Sequence, residues 1–305
     1  MNVRVGRCRY RSPVICASGT FGYGTELGAL ADYSAIGAVT TKTVTLDPRE
    51  GNRPPRIFET AHGVLNSIGL ENPGIERFCR EIVPALRRMK IPFIVSIGGT
   101  TQSEYEELAR ILDRVAGVKA VELNLSCPNL RLKKMVSQEK VLTKKLVAGV
   151  RRRTTKTVIA KLTPEVTDIT EIARAAEAGG ADALSLVNTY YGMALNVETG
   201  VPRLGSVYGG YSGRAIKPLS LYRVWRVYQA VSIPVIGGGG IETADDAIEF
   251  FLAGASAVSL GTVNMVYPKC AAGIKKGLQA YLRRRGIPRI ARLTGEGHER
   301  AKRVG

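Results

Sequence analysis

The sequence predicts a parallel eight-stranded α/β barrel, the (β/α)8 or TIM-barrel class. Three observations carry that expectation: eight apolar runs of strand length, helix-forming segments between most of them, and a polar residue or glycine at the end of every run. Near-continuous apolar strands followed by helical crossovers belong to parallel sheets covered by helices. Eight such strands close a barrel. With 305 residues, 45% of them hydrophobic and 23% charged, the chain is long enough to bury this core as one domain over residues 1–305.

The runs are Pro13–Ala17, Ala38–Thr41, Phe93–Ile97, Ala120–Leu125, Val158–Leu162, Ala183–Val187, Pro234–Ile236 and Ala257–Leu260. Each is short and apolar, as a fully buried strand should be. Their ends carry, in order, Ser18-Gly19, Lys42, Ser96, Asn124 with Cys127, Lys161, Asn188-Thr189, Gly238-Gly239-Gly240 and Gly261-Thr262. Between the runs, Thr243–Gly254 shows the helical grammar plainly. Thr243 can cap, Asp245 and Asp246 favour the first turn, Ile248, Phe251 and Leu252 share a face, and Gly254 can close the last turn. Asp168–Gly179 repeats it. Two connections, Thr43 to Gly74 after strand 2 and Thr189 to Lys217 after strand 6, are too long for a simple helix. They are rich in Gly, Pro and Asn, and loops of that length are usually functional.

Composition narrows the function classes. No window approaches the ~20 apolar residues of a membrane helix, and no basic head precedes an apolar N-terminal core, so a soluble, cytoplasmic protein is expected. The five cysteines (Cys8, Cys16, Cys79, Cys127, Cys270) lack Cys-x-x-Cys spacing and sit among two histidines, which argues for reduced thiols and no metal. His62 and His298 read as surface or loop residues. The formal charge of +18 favours anionic ligands, acidic partners or nucleic acid. Its runs, Arg151–Arg153, Arg283–Arg285 and Arg300 to Arg303, fall mostly where helices should end, and a solvated helix terminus is the plainer reading.

In a barrel the strand ends converge at the carboxyl face, where such enzymes work. There Asn124-Leu-Ser-Cys-Pro-Asn129 follows an apolar strand, and Cys127 among small polar side chains is placed for chemistry. A cysteine alone is more often a small buried hydrophobe. Backbone N–H groups of Gly239, Gly240, Gly261 and Thr262 are suited to cradle a phosphate. Lys42 and Lys161 sit on mostly apolar strands, where an unpaired ammonium is too costly to be structural. Asn66 and Asn188 border the long loops, and by themselves read as readily as turn formers.

The strings Ala17-Ser-Gly-Thr-Phe-Gly22, Thr41-Lys-Thr43, Leu65-Asn-Ser-Ile-Gly-Leu-Glu-Asn72, Glu122-Leu-Asn-Leu-Ser-Cys-Pro-Asn129, Val187-Asn-Thr189, Ser212-Gly213 and the phosphate glycines occur in this order. Together, over about residues 11 to 268, the chain resembles class 1 dihydroorotate dehydrogenase, an FMN-dependent barrel enzyme of pyrimidine biosynthesis. The resemblance implies oxidation of dihydroorotate to orotate, with hydride passing to the flavin and Cys127 as the base. It implies that Lys42, Asn66, Ser67, Ile68, Gly69, Leu70, Asn124, Asn188 and Thr189 hold the substrate. FMN would be held by Ser18, Lys42, Thr43, Ser96, Asn124, Lys161, Val187 and Gly213, with its phosphate on Gly239, Gly240, Gly261 and Thr262. Lys42 would lie between flavin and substrate, and Lys161 would reach the flavin ring.

Asn188-Thr-Tyr-Tyr-Gly192 and Phe21-Gly22 look more like subclass B, which implies a partner subunit carrying FAD and an iron–sulfur cluster, with NAD as the final acceptor, in a homodimer or heterotetramer. The chain departs from the family at Leu130–Val136, which is basic and glycine-free, and at the uninterrupted glycines Gly237–Gly240. Rival readings are a uracil reductase similar to dihydropyrimidine dehydrogenase, a tRNA dihydrouridine synthase, and a non-catalytic RNA-binding protein. The Asn66–Asn72 string matches a small-acid substrate loop instead, and the chain shows no added RNA-binding domain.

Overall fold

A computed structural model of the chain describes residues 1–126, 128–129 and 134–303. Eight parallel strands close into a barrel: β1 Val14–Cys16, β2 Ala38–Thr40, β3 Phe93–Ile97, β4 Ala120–Asn124, β5 Thr157–Lys161, β6 Ala183–Leu186, β7 Val235–Gly238 and β8 Ala257–Leu260. Neighbours in sequence are neighbours in the sheet. Closure comes from β8 pairing with β1 through Val258↔Val14, Ser259↔Ile15 and Leu260↔Cys16. These strands pack apolar side chains such as Ile15, Val39, Ile94, Val121, Ile159 and Leu184 out of contact with water, and this burial is the main stabilising term. Strand β7 runs two residues past the expected end, because Gly237 and Gly238 continue the ladder against Val258 and Ser259.

Helices cover the outside. Gln102–Asp113, Lys140–Arg151, Ile169–Ala178, Lys217–Tyr228, Ala244–Leu252 and Cys270–Arg284 follow β3 to β8. The β2 crossover returns through Gly74–Arg77, a π turn Phe78–Ile82, and Val83–Arg88. The β1 crossover has only the 3-10 turn Gly28–Leu30. Arg151 and Arg283 sit in last helical turns, as expected of the basic runs. No helix among the described residues is long and apolar enough to cross a membrane. At the amino-terminal mouth, the hairpin Val3–Val5 and Cys8–Tyr10 reaches the starts of β4 and β5, with Arg7 N–H donating to Thr157 Oγ1 at 3.2 Å.

The two long connections are not separate loops. Ile57–Thr60 and Gly63–Asn66 from the first pair with Gly209–Ser212 and Tyr190–Gly192 from the second, forming one four-stranded antiparallel sheet. Its central register, Gly210↔Asn66, Tyr211↔Leu65 and Ser212↔Val64, joins segments far apart in sequence. Leu65 is its buried anchor.

His298 is a correction to the surface reading; His62 is exposed as expected. The His298 ring is buried, stacked 3.6 Å from Trp225, and its Nε2 lies 3.0 Å from the Ala253 carbonyl oxygen. The short helix Glu296–Ala301 carries it back onto the barrel helices. Nothing local in the sequence signals a return contact of this kind.

The helix Ala244–Leu252 begins with a capping box. Thr243 Oγ1 accepts from Asp246 N–H at 3.2 Å, and Asp246 Oδ2 accepts from Thr243 N–H at 2.8 Å. Replacing Thr243 by Ala should destabilise the protein by about 1 kcal/mol, read as a lower urea midpoint. Burial works to raise the Asp246 carboxyl, but bonds from Lys217, Glu242 and Thr243 outweigh it and hold the group below its ordinary value. A lowered folded-state value means that its contribution is present above about pH 4, the unfolded value. The stability gap between wild type and Asp246→Asn should therefore shrink as pH falls below that point.

Candidate active site

Two adjoining cavities open at the carboxyl face. The first is lined by the ends of β1, β5, β6, β7 and β8, including Ser18, Gly19, Lys161, Val187, Gly213, Gly239, Gly240, Gly261 and Thr262. The second lies beneath the antiparallel sheet and includes Ser67, Gly69, Leu70, Asn124, Ser126 and Tyr208. Asn66, Ile68, Asn188 and Thr189 border both.

A hydrogen-bonded chain ties the strand ends together. Thr43 Oγ1 lies 2.9 Å from Ser96 Oγ and 3.5 Å from Ser18 Oγ, and it accepts from Asn124 Nδ2 at 3.3 Å. Asn188 Nδ2 donates to Ser126 Oγ at 2.8 Å and to Asn124 Oδ1 at 3.4 Å. Behind them the Tyr105 hydroxyl donates to the Asn124 carbonyl at 2.6 Å. The ends of five strands thus fix two amides side by side, each with acceptor or donor capacity left for a planar polar ligand. Asn66, on the sheet above, donates from Nδ2 to the Gly210 carbonyl at 3.2 Å. Thr43 and Ser96 are buried beneath this layer, so they hold the ends in place rather than line the cavities.

The loop Ser67–Leu70 is clamped. Asn52 Nδ2 donates to Ser67 Oγ at 2.8 Å, and Ser206 also bonds that hydroxyl. Asn72, which is buried, accepts from Thr45 and Gly74 N–H at 3.1 and 2.9 Å, and donates to Thr45 Oγ1 and the Leu70 carbonyl at 2.8 and 2.7 Å. A single amide with all its bonding capacity engaged therefore sets the path of the loop.

At the other end of the first cavity, the N–H groups of Gly239, Gly240, Gly261 and Thr262 meet no protein acceptor among the described residues. Gly239 has φ of +112°, and an added Cβ would lie 2.3 Å from Ser220 Oγ, so only glycine fits there. A Cβ on Gly261 would meet nothing within 4 Å and would stand in the open cavity. Thr262 Oγ1 donates to Ser212 Oγ at 2.8 Å, joining the end of β8 to the antiparallel sheet. The helix starting at Lys217 adds its N-terminal dipole nearby. Convergent unsatisfied N–H donors are what a phosphate group needs.

Lys161 lines the first cavity, and its Nζ is 3.9 Å from Glu122 Oε1. Glu122 lies deep within the barrel, and that burial pushes its carboxyl up against the opposing influence of Lys161 and Ser185. Lys42 goes elsewhere: its Nζ sits 3.5 Å from Glu71, a carboxylate that also binds Arg56 at 3.0 Å, and it borders neither central cavity. Cys127 and most of the Leu130–Val136 stretch lie outside the described residues. Sequence reasoning gave no role to Glu122, Ser126 or Ser185. A carboxylate two residues before Asn124 on an apolar strand was the readable signal for the first of these.

Fold and site define the α/β-barrel enzyme class, here with a glycine-built cluster of free N–H donors beside an amide-lined pocket at the carboxyl face. A family model described as dihydroorotate dehydrogenase matches residues 1–282. A relative from Desulforudis audaxviator is 50% identical over 297 residues, 97% of each chain. One from Trichlorobacter lovleyi is 49% identical over 296 residues, again 97% of each. A third, from Carboxydothermus hydrogenoformans, is 44% identical over 305 residues, 100% of this chain and 99% of its own. All three bear the name dihydroorotate dehydrogenase B (NAD(+)), catalytic subunit. The chain belongs to the dihydroorotate dehydrogenase family.

Proposed function

We propose that this chain is the catalytic subunit of an FMN-dependent, B-type dihydroorotate dehydrogenase, a single cytoplasmic barrel unit that oxidises dihydroorotate to orotate. The observation that carries the reading is the pairing of two adjoining cavities, one ending in four unsatisfied backbone donors, the other walled by amides. Family membership supports it. Bound FMN would supply the two-electron acceptor.

The remaining chemistry falls to side chains. Asn66, Asn124, Asn188 and Thr189 orient a flat carboxylated ring by matching its donors and acceptors, and the clamped Ser67–Leu70 loop supplies a fixed wall beside it. Cys127 takes the C5 proton onto Sγ. A thiol with an ordinary value near about 8.5 can do this once the neighbouring carbonyl acidifies the C–H. Lys161 presents positive charge to the cofactor ring. Gly239, Gly240, Gly261 and Thr262 hold the phosphate, and Ser18, Val187 and Gly213 pack the body of the cofactor. Lys42, which pairs with Glu71 beside the two cavities, would supply a further positive charge to bound cofactor and substrate.

Acid treatment of the purified protein should release FMN on chromatography; FAD, or no flavin in well-folded protein, would overturn the assignment. The partner implied by the relatives' names is a separate electron-transfer subunit. The excess positive charge would speed encounter with an acidic partner at low salt. The isolated chain should therefore reduce an artificial dye with dihydroorotate but not NAD until that subunit is added. Efficient NAD or fumarate reduction by the chain alone would remove the need for it.

A further inference from the structure

Glu122 stands out among the buried charged groups. It is 3% exposed, on the inward face of β4, and its Oε1 has no hydrogen-bond partner among the described residues. Ser96 of β3 and Ile159 of β5 are its register neighbours, and Ser185 of β6 stands beside Lys161. Lys161 is the charged group that faces it, at 3.9 Å. That separation is long for an ion pair. It leaves the ammonium free to donate into the first cavity, which Lys161 lines. A carboxylate this deep survives only with its countercharge, and the countercharge is shared with whatever occupies the cavity.

We propose that Glu122 is a proton-linked positioning residue, which takes a proton from water onto its free oxygen when negative charge is added to the cavity beside Lys161. The inference rests on the FMN reading above. Two electrons and one proton added to FMN leave one negative charge on the ring. Lys161 is drawn to that charge, the Glu122 carboxylate loses its compensation, and a second proton from water neutralises it at Oε1. On reoxidation the proton leaves again. The elevated carboxyl that burial produces at Glu122 fits the direction. Glu122 lines neither cavity, whereas Lys161 lines the first, so Glu122 acts through Lys161.

The test is the number of protons taken up per FMN reduced in the FMN-loaded protein, from the pH dependence of its midpoint potential between pH 5 and 9, with dithionite as reductant. Wild type should take up as much as one proton more than Glu122→Gln somewhere in that range, and Glu122→Asp should keep part of the excess. Equal proton counts for wild type and Glu122→Gln across the range would overturn the proposal. If Glu122→Gln does not fold, Lys161→Gln decides. There Glu122 stays neutral throughout and the excess proton disappears; a wild-type count in Lys161→Gln overturns the proposal equally. Failure of the protein to hold FMN at all is a different result, and refutes the functional reading instead.

Discussion

Cys127→Ala should keep its FMN and still bind orotate, yet reduce its flavin with dihydroorotate about 10²–10⁴ times more slowly, the usual share of a general base. The expectation combines a chemical requirement with a place in the sequence. Removing the C5 proton needs a base, and Cys127 is the residue that follows Ser126, whose hydroxyl, like the Asn124 amide, bonds Asn188 at the border of the two cavities. Cys127→Ser should retain a little activity, since a hydroxyl keeps the geometry but is a far weaker base. Anaerobic rapid mixing separates flavin reduction from turnover. A wild-type rate in Cys127→Ala places the base on another residue.

Gly261→Asp should fold and lose the cofactor. A side chain at this position enters open space in the first cavity, so the barrel has no steric reason to reject it. Its carboxylate would face the phosphate in the cradle. Two unit charges about 4 Å apart at an effective dielectric near 20 repel by ~4 kcal/mol, which is roughly a thousandfold in affinity. The measurement is FMN titration by fluorescence quenching, with circular dichroism to confirm the fold. Gly261→Ala is the control and should bind FMN nearly as wild type does. Unimpaired FMN binding by the Asp variant would move the phosphate away from the ends of β7 and β8.

The barrel was legible because a strand buried on both faces writes itself locally, as an apolar run that stops at a polar or glycine residue. Ala120 to Asn124 and Phe93–Ile97 show this almost residue for residue. Much of the candidate site was legible for a related reason: barrel strands run in parallel, so their last residues must meet, and Ser18, Lys161, Asn188 and Gly239 do line one cavity. What stayed hidden depends on partners distant in sequence. The sheet over the mouth is built from strands of three or four residues, rich in glycine and without clear alternation. Lys42 sits on its expected strand end, but Glu71, on a different segment, decides where its ammonium goes. His298 owes its burial to Trp225 and Tyr228, both far upstream.

The pairing of Gly63–Asn66 with Gly209–Ser212 also bears on how the protein is born. Chains emerge from the ribosome amino end first, and contacts between distant residues form late. The hairpin Ile57–Thr60 and Gly63–Asn66 leaves the exit tunnel with the outer edge of Gly63–Asn66 unpaired, and the partner strand of that edge is synthesised only after β6. Until then that edge is available to any other nascent strand. Translation therefore passes through an interval in which two-thirds of the polypeptide exists and the roof of its pocket does not, and a chaperone that shields residues 57–66 would find its client in that interval.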